Sequence, residues 1–217
     1  MAEARPPSTK ATPRRTQSER RATTRAALLE SAARGLSRYG YGNLRLEQVA
    51  QDAGYTRGAL YHQFADKQDL TLAVVRDWWP ENWRAAVLPL VEAESDPVAA
   101  LLALAQGHAV FCRREVARIP TAMRLEFTGQ DHPVGHAVEH NYDLLVRHCQ
   151  KLIDAGREAG AIPTDTPSRI LALAFVGALE GSVIGLAGNA PYDRDFAVRA
   201  VAGVLGIDPD AHNPATR

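Results

Sequence analysis

Three histidines are the residues whose type and spacing come closest to a metal or catalytic site. His132, His136 and His140 recur at every fourth position, and Glu139 stands beside them. Paired histidines four residues apart can hold zinc on one helix face. However, Pro133 argues against placing His132 inside the helix, no cysteine lies nearby, and the His-Glu-x-x-His pattern is absent. A polar helix face with incidental histidines is therefore the preferred interpretation, and a helical metalloenzyme built on His136 and His140 is the alternative.

The two cysteines, Cys112 and Cys149, offer no redox motif because they are not arranged as Cys-x-x-Cys. They are interpreted as small buried residues, and their low number favours a reducing cytoplasm. The sequence contains no Ser-His-Asp order, nucleotide-binding glycine loop or nucleophile elbow, so we expect neither catalysis nor a cofactor. No secretory signal opens the chain and no apolar run reaches the roughly 18 residues that a membrane span needs. We therefore expect a cytoplasmic protein without membrane contact.

The elements that could position a binding surface are clearest between residues 46 and 64. An apolar stripe at i, i+3, i+4 and i+7 predicts a short helix, which ends at Gly54; it consists of Leu46, Val49, Ala50 and Ala53. Thr56 is placed to cap a second helix, on which Leu60 and Phe64 face inward. Two short helices joined by a glycine-containing turn predict a helix-turn-helix, whose second helix fits a major groove.

This stretch, GYGNLRLEQVAQDAGYTRGALYHQFADKQDL, resembles the signature of the tetracycline-repressor (TetR) family of bacterial regulators. The resemblance covers roughly residues 21–80. It implies an all-α fold with an N-terminal three-helix DNA-binding domain and a C-terminal helical domain for ligand binding and dimerisation. The chain departs from the pattern at Leu44 and Arg45, where the family carries small hydroxyl residues. We expect Asn43 to take over the helix cap and Arg45 to take over the phosphate contact.

The outward face of the second helix supplies the expected DNA contacts. Arg57 can pair with two acceptors of guanine, and Ala59 can contact a thymine methyl. Gly58 lets the backbone approach closely. The remaining contacts should fix the register on phosphates; they are Arg45, Thr56, Tyr61, His62 and Lys67.

The distribution of charge supports this assignment. The net charge of the whole chain is zero, but residues 1–67 carry 12 Lys/Arg against 6 Asp/Glu, which gives +6. The remaining residues carry 13 against 19, which gives −6. A basic front half is expected of a module that meets phosphates. Residues 1–17 lack periodicity and predict a disordered basic tail, which either enters the minor groove or stays solvated.

The rest of the sequence predicts helices throughout. We divide the chain into the tail 1–17, a helix-turn-helix domain 18–66 with the motif at 45–64, a ligand-binding and dimerisation domain 67–207, and a tail 208–217. A connecting helix at 67–79 should end or kink at Pro80. The other predicted helices cover 18–39, 82–94, 97–118, 121–129, 134–159, 167–186 and 193–205, the 167–186 helix being capped by Asp165 or Thr166.

The helix at 167–186 is apolar nearly all round and rich in small residues, which is typical of a helix packed against a second subunit or at the centre of a core. Relatives pair their last two helices across a two-fold axis, so we predict a homodimer; a central helix in a monomer is the alternative. The expected interface residues are Leu173, Val176, Gly177, Glu180, Ile184, Gly185, Val198 and Val201.

Aromatic residues and methionines in the first part of the second domain could line an apolar ligand pocket. Core packing is the alternative for each of them. The predicted pocket residues are Trp79, Trp83, His108, Phe111, Met123 and Phe127, with Arg124 and Glu126 as further polar groups. The sequence therefore predicts a regulator, preferably a repressor, that leaves a roughly palindromic double-stranded operator when an unknown small molecule binds. A regulator of the same fold without a ligand, acting through a protein partner or organising DNA, is the alternative.

Overall fold

The computed structural model describes residues 16–186 and 189–212, and all regular elements among them are helical. Most of the predicted basic tail lies outside these residues. No helix within them is both long and apolar enough to cross a membrane. The helices are α1 (Gln17–Tyr39), α2 (Leu46–Asp52), α3 (Arg57–Tyr61), α4 (Lys67–Ala73), α5 (Trp79–Glu92), α6 (Pro97–Phe111), α7 (Ile119–Phe127), α8 (Pro133–Glu158), α9 (Ser168–Leu186) and α10 (Tyr192–Leu205).

The helix-turn-helix forms as its sequence predicts. Thr56 caps α3, and its hydroxyl accepts the amide of Ala59 at 3.2 Å. Gly54 has φ +76°, the left-handed value expected where the first helix of the motif ends. The expected cap by Asn43 is wrong, because Arg45 occupies the N-cap of α2 and Asn43 donates instead to the carbonyl of Tyr39.

The connecting helix does not end at Pro80. One π-helical turn, Val74–Trp78, joins α4 to α5, and Pro80 lies in the first turn of α5. In this turn the amide of Trp79 bonds the carbonyl of Val74. Because hydrogen bonds in a π-helical turn join residues five apart, the carbonyl of Val75 would pair with the amide of residue 80. That residue is a proline, which has no N–H to donate. Asn141 of α8 fills this place, since its Nδ2 donates to the Val75 carbonyl at 2.8 Å.

The helix predicted at 97–118 ends early, at Phe111, and is followed by the 3-10 turn Glu115–Arg118. This turn packs on α1 and is held there by Ser37 and Arg38, which bond the carbonyl and carboxylate of Glu115, respectively. Because these partners lie far apart along the chain, helical periodicity could not reveal the break.

Two further boundaries differ from the sequence expectation. The carbonyl of Pro167 accepts the first hydrogen bonds of α9, from the amides of Ile170 and Leu171. Pro167 therefore occupies the cap position that we expected at residues 165 or 166. Within the expected C-terminal tail, Pro209–His212 forms a 3-10 turn against α6 and α10.

The buried side chains form two clusters. The larger one joins α5, α6, α8, α9 and α10. The smaller one contains the core of α1–α4, including Leu36, Leu60 and Phe64, but it also takes Met123 from α7 and Val138 from α8. A division of the chain at residue 67 therefore cuts through this smaller core. The connecting helix is not the only link between the two halves, because α7 and the start of α8 pack directly on the helix-turn-helix module.

Candidate functional site

The outer face of the helix-turn-helix presents a compact group of polar side chains. The guanidinium of Arg57 lies 2.9 Å from the carboxylate of Glu47 on α2 and 3.4 Å from the hydroxyl of Tyr61. These neighbours raise the pKa of Arg57, first through the hydrogen bond to Tyr61 and then through the charge of Glu47. Arg57 is therefore cationic and exposed at the first position of α3.

The other predicted DNA contacts surround this group. Arg45, Gly58, Tyr61 and His62 are exposed, and Ala59 is half-buried. A Cβ at Gly58 would have no neighbour closer than 3.8 Å, which leaves this part of α3 open to another backbone. The DNA contacts of all these residues, and of Thr56, stay predictions.

Lys67 has a different environment from the one expected of a phosphate contact. Its Nζ donates to the carbonyls of Tyr41 and Gly42 at 2.9 and 3.2 Å, and lies 4.4 Å from the centre of the Tyr41 ring. Two of its three N–H groups are thus used to hold the turn between α1 and α2. The phosphate contact of Lys67 stays a prediction, and it would use the third N–H group.

The same turn is held from the other side by α7. The carboxylate of Glu126 accepts the amides of Tyr41 and Gly42 at 2.7 and 2.6 Å. Gly40 makes this approach possible, because its φ is +72° and a Cβ there would lie 2.8 Å from Glu126 Oε2. Glu126 lies on the face of α7 turned toward α1 and holds this turn. Its expected role in orienting a ligand stays a prediction.

A cavity of ≈ 210 Å³ lies among the helices α5 to α9. Three of the predicted pocket residues, Trp79, Trp83 and His108, line it. Arg124, which we expected as a polar group, lines it as well. The sequence prediction missed the following residues of the wall: Val75, Pro80, Arg84, Leu88, Ala117, Ile119, Pro120, Thr121, Val138, Asn141, Tyr142, Leu144, Leu145, His148, Val176, Leu179 and Glu180.

Phe111, Met123 and Phe127 do not line this cavity, so the structure does not bring them together with the other predicted pocket residues. Phe111 is buried behind Trp79, with ring centres 5.7 Å apart in an edge-to-face contact. Met123 is fully buried in the smaller core. Phe127 stacks on His132 at 4.3 Å and contacts Tyr41 at 5.2 Å. Each of these side chains lies on a helix face turned away from the cavity.

Several polar groups of the cavity wall have hydrogen-bond partners, but Nε2 of His108 and Nε2 of His148 are buried without one among the described residues. His108 Nδ1 accepts the indole N–H of Trp83 at 3.1 Å, and burial lowers the pKa of His108 to about 4. Arg124 bonds the carboxylates of Glu139 at 2.8 Å and Glu180 at 3.2 Å. Its guanidinium also lies 3.9 Å from the centre of the Tyr142 ring. Burial raises the pKa of Glu180, and the charge of Arg124 opposes this rise.

The predicted interface residues divide into an exposed and a buried set. Leu173, Gly177 and Ile184 are exposed on one face of α9, with Ile184 at 73%. Gly185 lies in α9, but its exposure falls outside what the structure describes.

Four of the proposed interface residues face inward instead. Val176 and Val201 are fully buried in the chain's own core, and Val198 is buried beside them. Glu180 faces the cavity and bonds Arg124. Their contact with a second subunit stays a prediction, although the three valines contribute to the chain's own core. Helix α9 is apolar on its outward side as well as on its inward side. The sequence pattern alone therefore could not separate the two sides.

The histidines that suggested a metal site do not converge. His132 caps α8 by accepting the amide of Val134, and exposed His136 lies 3.1 Å from Asp131. In the part of the chain that the structure describes, no three His, Cys, Asp or Glu side chains are arranged to hold a metal. Cys112 and Cys149 are buried, and desolvation raises the pKa of each thiol to about 12.

Comparison with known proteins adds to this geometry. Residues 28–74 match the family model for bacterial regulatory proteins of the tetR family. The chain is 28% identical over 221 residues to the HTH-type transcriptional regulator AcrR of Shigella flexneri, covering 89% of this chain and 94% of AcrR. It is 36% identical to the HTH-type transcriptional repressor AcnR of Corynebacterium diphtheriae, but only over 53 residues, or 24% of this chain and 28% of AcnR.

Among solved structures, the chain is similar to AibR in complex with isovaleryl coenzyme A and operator DNA. The TM-score is 0.70 at 19% identity, and the match covers 85% of this chain and all (100%) of that one. At this identity the likeness shows a shared fold.

Proposed function

Because residues 28–74 match the family model for bacterial regulatory proteins of the tetR family, we propose that this chain is a DNA-binding transcriptional repressor of that family, which a small molecule releases from its operator. The observation that carries this proposal is the open outer face of α3. There Arg57 is held between Glu47 and Tyr61 at the end of a capped helix sized for a major groove. No part of the proposal requires catalysis.

The proposed partner of α3 is double-stranded DNA with a roughly palindromic sequence. We propose that the protein is a homodimer in which the exposed faces of α9 and α10 meet their copies. The exposed side chains Ile170, Leu173 and Ile184 of α9, and Phe196 of α10, support this surface. Two-fold symmetry would place two α3 helices about 34–36 Å apart, or a multiple of this, along the duplex.

We propose that the cavity beside Trp79 and Arg124 holds the effector, and that α7 carries its effect to the DNA-binding module. Ile119, Thr121 and Arg124 of α7 line the cavity. Two residues beyond Arg124, Glu126 holds the turn between α1 and α2. A ligand that shifts α7 would therefore also shift this turn and alter the spacing of the α3 helices. The ligand weakens DNA binding only as far as it prefers the altered spacing, and DNA weakens ligand binding by the same factor.

The test begins by selecting DNA sequences from a random pool with the full-length protein. An enriched palindrome with half-sites one or more helical turns apart is the expected result. Its affinity should fall steeply with salt, since each neutralised phosphate contributes a slope of about −0.9 in log K against log salt. Enrichment of no sequence, or binding independent of sequence, would contradict a specific repressor and favour a DNA-organising role.

A further inference from the structure

We propose that the cavity takes an uncharged, mainly apolar molecule smaller than a typical drug, with one hydrogen-bond acceptor oxygen directed at His108. This inference deepens the effector proposal above and rests on it. Three independent features of the cavity wall carry it: the state of His108, the balance of charge around Arg124, and the size and lining of the space.

The state of His108 defines the group that a ligand must present. The indole N–H of Trp83 can only donate, so His108 Nδ1 must accept it, and the proton of the neutral ring is on Nε2. His108 is buried, and its Nε2 has no hydrogen-bond partner among the described residues. A buried donor without a partner is costly. His108 lines the cavity, but its Nε2 is almost inaccessible in the unliganded chain. A carbonyl, ether or hydroxyl oxygen of a bound molecule would satisfy this donor once the neighbouring side chains move aside to admit it.

The charges near the cavity disfavour an ionic ligand. Arg124 is the cation beside which a carboxylate would bind, but it is already bonded to Glu139 and Glu180. An anionic ligand would therefore lie against the half-buried carboxylate of Glu180. A cationic ligand would compete with Arg124 for that carboxylate, and its ammonium would meet a donor at His108. Arg84, which also lines the cavity, is exposed to solvent. A neutral ligand meets none of these conflicts.

The size and lining of the cavity define the rest of the molecule. Its volume of ≈ 210 Å³ is below the roughly 300–1,000 Å³ of pockets for drug-sized ligands. The rings of Trp79, Trp83 and Tyr142 and aliphatic side chains such as Leu88, Ile119 and Leu179 form much of the wall. Such walls favour a small apolar body, a ring or a short branched chain, with a single polar atom.

Four probes of nearly equal size separate these requirements: acetophenone, ethylbenzene, benzoate and benzylammonium. Their dissociation constants are measured by ligand-detected NMR on the full-length protein without DNA, in wild type and in His108→Phe. The binding free energies of acetophenone and ethylbenzene are compared in wild type and in His108→Phe. The difference between the two differences reports the hydrogen bond alone, because the hydrophobic contribution of each probe cancels. The variant His108→Gln is the conservative control, because its amide can both accept from Trp83 and donate to a ligand.

We expect His108→Phe to weaken acetophenone about tenfold more than it weakens ethylbenzene. His108→Gln should retain most of the acetophenone affinity, and both charged probes should bind more weakly than acetophenone. The inference is overturned if a charged probe binds most tightly, if His108→Phe affects both neutral probes equally, or if none of the four shows saturable binding. Operator binding is measured in a separate experiment. If the protein binds no specific DNA sequence, that result contradicts the proposed repressor function but leaves the proposed ligand class of the cavity standing.

Discussion

The carboxylate of Glu126 accepts the backbone amide of Tyr41 at 2.7 Å, although 85 residues separate them along the chain. Through this bond, and its companion to Gly42, helix α7, which lines the proposed effector cavity, also holds the turn between α1 and α2. The two halves of the chain are therefore coupled through α7 as well as through the continuous α4–α5 helix.

Removing the Glu126 carboxylate should uncouple the two sites. Glu126→Ala leaves two backbone amides without their acceptor, so we expect the free energy of unfolding to fall by about 1–3 kcal/mol. We also expect a smaller loss of operator affinity upon saturation with effector, while effector affinity in the absence of DNA stays close to wild type. Denaturant titration and anisotropy of labelled operator measure these effects. Glu158→Ala, at the exposed end of α8, is the control. An unchanged effector response would show that α7 is not the route.

Substitutions at Trp79 and Phe127 should have different effects on effector binding. Trp79 lines the cavity, whereas Phe127 packs between α7, α8 and the turn at Tyr41. Trp79→Leu should weaken effector binding several-fold. Phe127→Leu should leave effector affinity nearly intact while changing stability and the coupling to DNA. Calorimetric titration of both variants with the same effector checks this contrast. Equal losses of affinity would place Phe127 in the binding site after all.

DNA recognition is expected to separate Arg57 from Tyr61. If Arg57 pairs with a guanine, Arg57→Ala should cost about 1–3 kcal/mol of operator binding and relax the preference at one position of each half-site. Tyr61→Phe should weaken binding similarly on all sequences, because a phosphate contact carries no base information. Binding profiles on a set of single-base operator variants measure both effects. A profile with unchanged preferences in Arg57→Ala would remove Arg57 from the base contacts.

The proposed subunit interface can be tested with two equally exposed apolar side chains. Ile184 on α9 and Leu125 on α7 are each 73% exposed in the single chain. Ile184→Glu would place a charge in the proposed interface, so we expect it to produce monomers and to lose cooperative operator binding. Leu125→Glu should stay dimeric. Light scattering across a concentration series distinguishes the two, and a dimeric Ile184→Glu would put the contact elsewhere.

His108 should make stability sensitive to acid. Burial lowers the pKa of His108 from 6.5 to about 4. Between these pH values the imidazole is therefore neutral in the folded chain but takes up a proton in the unfolded chain. Its contribution is complete above pH 6.5 and is lost as the pH falls toward 4. By linkage the loss is on the order of 3 kcal/mol. Urea titrations between pH 7 and 4.5 should therefore show a flatter pH dependence for His108→Phe than for wild type. His140→Gln, which changes an exposed histidine, should follow wild type.

The sequence by itself determined the helix-turn-helix, and with it the match to the tetR family model. The determinants of this module are local: an apolar stripe, a left-handed glycine and the hydroxyl of Thr56 three residues before the amide that it caps. Such signals act within a few residues, so spacing along the chain is enough to identify them.

Only the tertiary structure decided which side of each helix meets which neighbour in the second half. Helices such as α6 and α9 are apolar nearly all round, so their sequence pattern does not distinguish a core side from a cavity side or a free side. Phe127 and Trp79 are equally suitable for a pocket by residue type, yet only Trp79 reaches the cavity. Likewise Arg124 and Glu126, two residues apart, lie on different sides of α7. Their partners come from α8, α9 and the turn after α1, and that choice is made by packing between segments distant in sequence.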